Sequence, residues 1–147
     1  MESNGDQFSI PPLPGLTALQ CRAVLKTLVE ALAPASIIVF GSLAKGTHRE
    51  DSDLDLAYIP NEQKPDAYER FRIAAKIADV VRREVDLIDF EEVSPILQIQ
   101  VIESGLLLYD GFPKVRQERY MRALKEYAML NEERSEIIRN RLGRKET

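Results

Sequence analysis

Ser36-Ile37-Ile38-Val39-Phe40-Gly41-Ser42, ten intervening residues, then Asp53-Leu54-Asp55-Leu56-Ala57-Tyr58-Ile59 is the stretch that decides the fold. Ser36 to Phe40 is short, apolar and rich in β-branched residues, which predicts a buried strand. Gly41-Ser42 breaks it; Leu43 to Gly46 suits a single helical turn, and Thr47 to Asp51 a polar loop. From Asp53 to Ile59 the pattern alternates. Asp53, Asp55 and Ala57 face one way, Leu54, Leu56 and Tyr58 the other, so a second strand with an acidic front and an apolar back is expected.

The flanking segments read as follows. Residues 1–15, with Pro11, Pro12, Pro14 and Gly15, form a loose leader. Thr17 and Gln20 match a capping box, and Cys21, Val24, Leu25, Leu28, Val29 and Leu32 make one stripe of an amphipathic helix that Pro34 stops. Cys21 lies on that stripe and reads as a small core residue. Asp66 to Arg83 is a helix whose inner face is expected to hold Phe71, Ala74, Ala75, Ala78 and Val81. Val85 to Phe90 is a third strand. Ser94-Pro95 caps a helix that ends at Gly105, and Leu106 to Tyr109 is a brief fourth strand. From Pro113 almost to Lys145 a long helix is expected, with Tyr120, Leu124, Tyr127, Ala128, Ile137, Ile138 and Leu142 as its apolar positions. The order α-β-β-α-β-α-β-α indicates a small α/β or α+β sheet with helices packed on it.

Composition narrows the function. The 147 residues carry a net charge of −4, with one His and one Cys. Residues 1–112 hold 10 basic and 18 acidic side chains, whereas residues 113–147 hold 10 basic and 6 acidic. An acidic body offers no track for a nucleic-acid backbone, so no direct nucleic-acid contact is expected. No apolar run approaches the ~18 residues of a membrane span, and the first residues lack the pattern of a secretion signal. A single cysteine excludes an internal disulfide and a cysteine-based zinc site; a reduced, cytoplasmic setting is expected. The basic C-terminal segment is either a solvated helix face or an arm that meets an acidic partner or a nucleotide.

The chemistry sits in the Gly-Ser and Asp-x-Asp pair. Gly41 allows a sharp exit from a buried strand and close approach of a ligand to the backbone. Ser42 opens a helical turn whose free N–H groups can hold phosphate oxygens. Asp53 and Asp55, two apart on a strand, point to the same side and would repel unless something neutralised them. Carboxylates so placed suit hard divalent cations, and Mg²⁺ prefers few carboxylates plus phosphate oxygens.

Gly41-Ser42-x10-Asp53-x-Asp55 resembles the signature of the polymerase-β-like nucleotidyltransferase superfamily. The short chain and the Val85-Asp86-Leu87-Ile88-Asp89 strand look like the minimal nucleotidyltransferases (MNT proteins), with the resemblance running from Thr17 to Gly111. It implies a polymerase-β-like fold, in which a small mixed sheet is flanked by helices, with a nucleotidyltransferase domain over residues 16–112. It also implies that Gly41 and Ser42 hold a nucleoside triphosphate and that Asp53, Asp55 and a third carboxylate bind two Mg²⁺. Asp86 matches that third carboxylate by position; Asp89 has the opposite strand parity. The implied reaction is nucleotidyl transfer with diphosphate leaving. Lys45 and Arg49 are the loop cations near Ser42, against the ordinary reading of such side chains as solvated. His48, in the same loop, is expected to be a surface residue.

Larger members of that superfamily carry an added helical domain for the acceptor, and here only residues 113–147 remain. The resemblance therefore implies a partner chain. MNT proteins of this type are similar to the antitoxin half of HEPN–MNT pairs, in which AMP passes from ATP to a tyrosine hydroxyl of the HEPN toxin. The HEPN signature, Arg followed four to six residues later by His, is absent, since the only histidine is His48. Leu43 stands where many relatives carry a bulky polar residue. Two other readings stay open: an antitoxin that acts by binding alone, and a transferase for small molecules. The C-terminal helix is expected to pack on its own domain or to form a homo- or hetero-oligomer face.

Overall fold

The computed structural model describes residue 13 and residues 15–146, the side chains of 143–146 excepted. The remainder of the 1–15 leader lies outside the described residues. Leu13 is buried in the core.

Helix α1 spans Ala18–Leu32, and its start is a reciprocal box. Thr17 Oγ1 accepts from the Gln20 amide at 3.1 Å, and the Gln20 side chain accepts from the Thr17 amide at 2.9 Å. Ala33 ends it in the left-handed conformation. Strand β1 is Ser36–Phe40, helix α2 Gly41–Lys45, strand β2 Leu54–Ile59, helix α3 Ala67–Val81 and strand β3 Val85–Asp89. Helix α4 is Pro95–Ser104, strand β4 Leu106–Asp110 and helix α5 Pro113–Glu146. No helix of the described residues is long and apolar enough to cross a membrane.

The sheet order is β3-β2-β1-β4, mixed in sense. β1 runs antiparallel to β2 and to β4, while β2 and β3 are parallel and joined through α3. A parallel pair requires such a crossover. Each sheet face has its own core. Ile37, Val39, Leu54, Leu56, Tyr58 and Leu87 pack under α1 and α3. Ile38, Phe40, Ala57, Ile59 and Phe90 pack under α4 and the first turns of α5.

The structure corrects four details. Phe71 is 74% exposed; the inner stripe of α3 is Ile73, Ala74, Ile77 and Val81. This stripe holds the two residues that bury fully, and a helix cannot turn both it and Phe71 inward. Leu124 is likewise exposed, while Ala123 is buried. β2 is acidic in front only at its beginning: Ala57 and Ile59 on the same side are buried beneath α4. Asp53 precedes the first paired residue, Leu54, by one position.

Candidate active site

β1 delivers Phe40 to a turn that only glycine makes easily. Gly41 has φ +74°, and a Cβ there would overlap the Asp55 carboxylate. Gly41 thus serves two ends at once: the chain turns into α2, and Asp55 lies against its backbone. Phe40 is the cross-strand partner of Asp55. Ser42 follows in the first turn of α2 and is half-buried. Lys45, one turn on and on the same helix face, is exposed.

Asp55 and Asp86 are register partners in the parallel β2–β3 pair. Register partners share a sheet face, so the two carboxylates project side by side from strands about 4.8 Å apart. Asp53 sits at the loop end, two residues before Asp55. Asp55 is half-buried and Asp53 and Asp86 are exposed, where the layer formed by α4 stops. Burial pushes the Asp55 carboxyl up to about 6, and the charges of Asp86 and Asp53 add to that push. Gly41, Ser42, Asp53, Asp55 and Asp86 are therefore brought to one corner of the sheet.

Asp89 is placed elsewhere. It is buried on the opposite face, where its Oδ1 accepts from the Glu91 amide at 2.8 Å and Lys64 lies 4.0 Å away. Arg49 is exposed in the loop, its backbone amide donating to Ser52 Oγ at 2.7 Å. His48 is half-buried, which departs from the expected surface position; its ring lies against the backbone of Gly15.

Would this corner suit a divalent cation? Its donors are all hard carboxylate oxygens, with Asp55 and Asp86 paired in register on neighbouring strands. Among the described residues no group of three or more His, Cys, Asp and Glu side chains is gathered closely enough to hold a metal ion by itself. Mg²⁺ does not need one, because it takes one or two carboxylates and completes its shell with water and phosphate oxygens. The residues fit that ion.

The electrostatics make a pH prediction. Asp55 holds its proton more tightly folded than unfolded, so its stabilising contribution is full below pH 3.8. It is lost as pH rises through about 6. The metal-free chain should therefore lose about 1–2 kcal/mol of this contribution between pH 4 and pH 7, after allowing for solvent screening. Urea unfolding at the two pH values, with and without Asp55→Asn, checks it: the variant should lack that part of the slope.

The profile of the family described as "Polymerase beta, Nucleotidyltransferase" matches residues 23–111, more than half of the chain and the whole sheet. The chain belongs to the polymerase beta nucleotidyltransferase family. Among relatives of this nucleotidyltransferase is the protein adenylyltransferase MntA of Shewanella oneidensis. It is 29% identical over 116 residues, covering 78% of this chain and 82% of the relative. Solved structures agree. A chain of a toxin–antitoxin complex with AMP-PNP superposes with a TM-score of 0.72 at 27% identity, covering 82% of this chain and 96% of that one. A chain from the complex of tri-AMPylated Shewanella oneidensis HEPN toxin with MNT antitoxin gives a TM-score of 0.68 at 25% identity, covering 83% and 95%.

Proposed function

We propose that this nucleotidyltransferase moves AMP from ATP to a hydroxyl of a cognate HEPN toxin, a tyrosine hydroxyl as the resemblance implies, and so acts as its antitoxin. The observation that carries the reading is the in-register Asp55–Asp86 pair beside the glycine turn at Gly41. The similarity to an adenylyltransferase and to chains from complexes with AMP-PNP and with an AMPylated HEPN toxin supports the choice of donor and kind of acceptor.

In this reading Ser42 and the first amides of α2 hold the triphosphate, with Lys45 the nearest cation on the same face. Asp53, Asp55 and Asp86 would hold Mg²⁺, two ions in the reading of the motif. When bound, the metal neutralises phosphate charge and favours the ionised acceptor oxygen. That oxygen forms a bond to the α-phosphorus in line with the bond that breaks, and diphosphate departs. Asp86, more open than its register partner Asp55, accepts the hydroxyl proton or, as one of the residues that would hold the metal, would favour its loss. Asp55, held against Gly41, orients the site. The exposed outer half of α5, with Ile137, Ile138 and Leu142, supplies the contact to a partner chain or a second copy.

The test uses the purified chain, ATP labelled on the α-phosphate, Mg²⁺, and the all-helical Arg-x(4–6)-His protein of an adjacent reading frame. Label should appear on that protein, with diphosphate released. An unlabelled partner beside a chain that binds Mg²⁺-ATP would contradict the reading. Protection of cells by Asp53→Ala with Asp55→Ala would favour binding alone, and labelling of a soluble acceptor without a partner would favour a small-molecule transferase.

A further inference from the structure

The loop from Gly46 to Asp53 carries one of the three carboxylates, yet only short local bonds close it. Ser52 N donates to the Arg49 carbonyl at 3.1 Å, and the Arg49 amide donates back to Ser52 Oγ at 2.7 Å. This small turn is exposed at Arg49, Glu50 and Asp51 and adds little to either core. Its anchor comes from 31–34 residues away. Arg83 Nη1 donates to the Ser52 carbonyl at 2.8 Å and to the Arg49 carbonyl at 3.0 Å. Arg83 is half-buried and stands between the left-handed end of α3 at Arg82 and the start of β3. Its guanidinium is roofed by Gly15, where a Cβ would come within 3.1 Å of Nη2 and 2.9 Å of the His48 ring. One residue past the anchored carbonyl is Asp53. Three residues past Arg83 is Asp86. The Leu54 amide, bonded to the Glu84 carbonyl at 2.8 Å, closes the same junction.

We propose that Arg83 is a positioning residue for nucleotidyl transfer: it clamps the carbonyl before Asp53 to the strand that carries Asp86, and so sets the two outer carboxylates at a fixed separation. The inference rests on the metal-holding reading of Asp53, Asp55 and Asp86. Asp53 lies one residue outside the ladder, held between the Arg83-anchored Ser52 carbonyl and the bonded Leu54 amide. Like charges without a clamp would move apart, and a divalent cation would then spend binding energy on gathering them. A guanidinium suits the task, since it stays charged and presents several donors in one plane.

The test measures Mn²⁺ binding to the whole chain by electron paramagnetic resonance, with and without a non-hydrolysable ATP analogue, beside steady-state rates at varied Mg²⁺. Arg83→Ala should weaken Mn²⁺ binding by about 10–100-fold, the effect usual for residues that hold metal ligands. It should raise the Mg²⁺ needed for half-maximal rate and leave the KM for ATP at saturating metal near that of the parent chain. Arg83→Lys should recover part of the affinity. If Arg83→Ala does not fold, Arg83→Lys carries the test alone, with intermediate Mn²⁺ affinity and faster amide exchange at residues 49–53. Unchanged Mn²⁺ affinity with a lowered thermal midpoint would overturn the proposal and leave Arg83 a purely structural residue. Asp55→Asn separates the two readings. Intact Mn²⁺ binding in that variant defeats the metal reading itself, whereas loss there with no change in the Arg83 variants defeats only the clamp.

Discussion

Asp55→Asn should lower the rate of AMP transfer by about 10³-fold or more, the scale of several kcal/mol of lost charge stabilisation. The reason is placement. Asp55 is the middle member of the acidic group, register partner of Asp86 and two residues from Asp53. It also lies against the backbone of Gly41, so it joins the carboxylates to the turn that opens α2. Asparagine keeps the shape and removes a charge that burial and two neighbouring carboxylates already disfavour. The variant should therefore fold at least as well as the parent without metal at neutral pH. Activity and stability should move in opposite directions, the pattern expected where a site is held under electrostatic strain. Rates at saturating Mg²⁺-ATP, measured beside urea unfolding of the metal-free chain, check both halves. A fall in activity that merely tracked a fall in stability would argue against the assignment.

Gly41→Ala should cost at least about 100-fold in rate and about 2 kcal/mol or more in stability. Two causes combine. The backbone at Gly41 has φ +74°, where a side chain is strained, and the added methyl would overlap the Asp55 carboxylate. Relief of that overlap pushes Asp55 away from Gly41, which misplaces a charged group at the reacting centre. A pairing with Asp55→Ala checks the cause. In the double variant the stability loss from Gly41→Ala should shrink to the backbone strain alone, so the two substitutions should not add. Additive losses would place the cost of Gly41→Ala elsewhere.

Much of this corner was legible in the sequence because its signals are local. A β-branched run, a glycine at a sharp exit and a period-2 alternation need no knowledge of distant residues. They located β1, the turn and the shared face of Asp55. The same parity argument put Asp86 and Asp89 on opposite faces of β3, and the structure has Asp86 at the acidic corner and Asp89 buried on the far side. The caps at Thr17 and Ser94 are equally local, and both are made. What could not be read depends on rotation or on distance. The alanines of α3 sit on several faces, so apolar spacing found Ala74 and Val81 but could not choose between Phe71 with Ala75, which are exposed, and Ile73 with Ile77, which pack inward. Asp53 falls outside the ladder because pairing begins only where Leu54 meets Val85. The Arg83 anchor had no signal at all: a side chain bonding two backbone carbonyls across more than 30 residues leaves no trace in residue types. His48 was drawn inward by contact with Gly15, again a long-range event.

The central claim is that the corner of Gly41, Ser42, Asp53, Asp55 and Asp86 receives a metal-bound nucleoside triphosphate. Crystals of the chain grown with Mn²⁺ and a non-hydrolysable ATP analogue test it most directly, through the anomalous scattering of the metal. Metal density is expected between the carboxylates of Asp55 and Asp86, with Asp53 also within reach and the triphosphate lying over Ser42. Metal and nucleotide density away from that corner, or Asp86 turned from a metal that Asp55 holds, would contradict it.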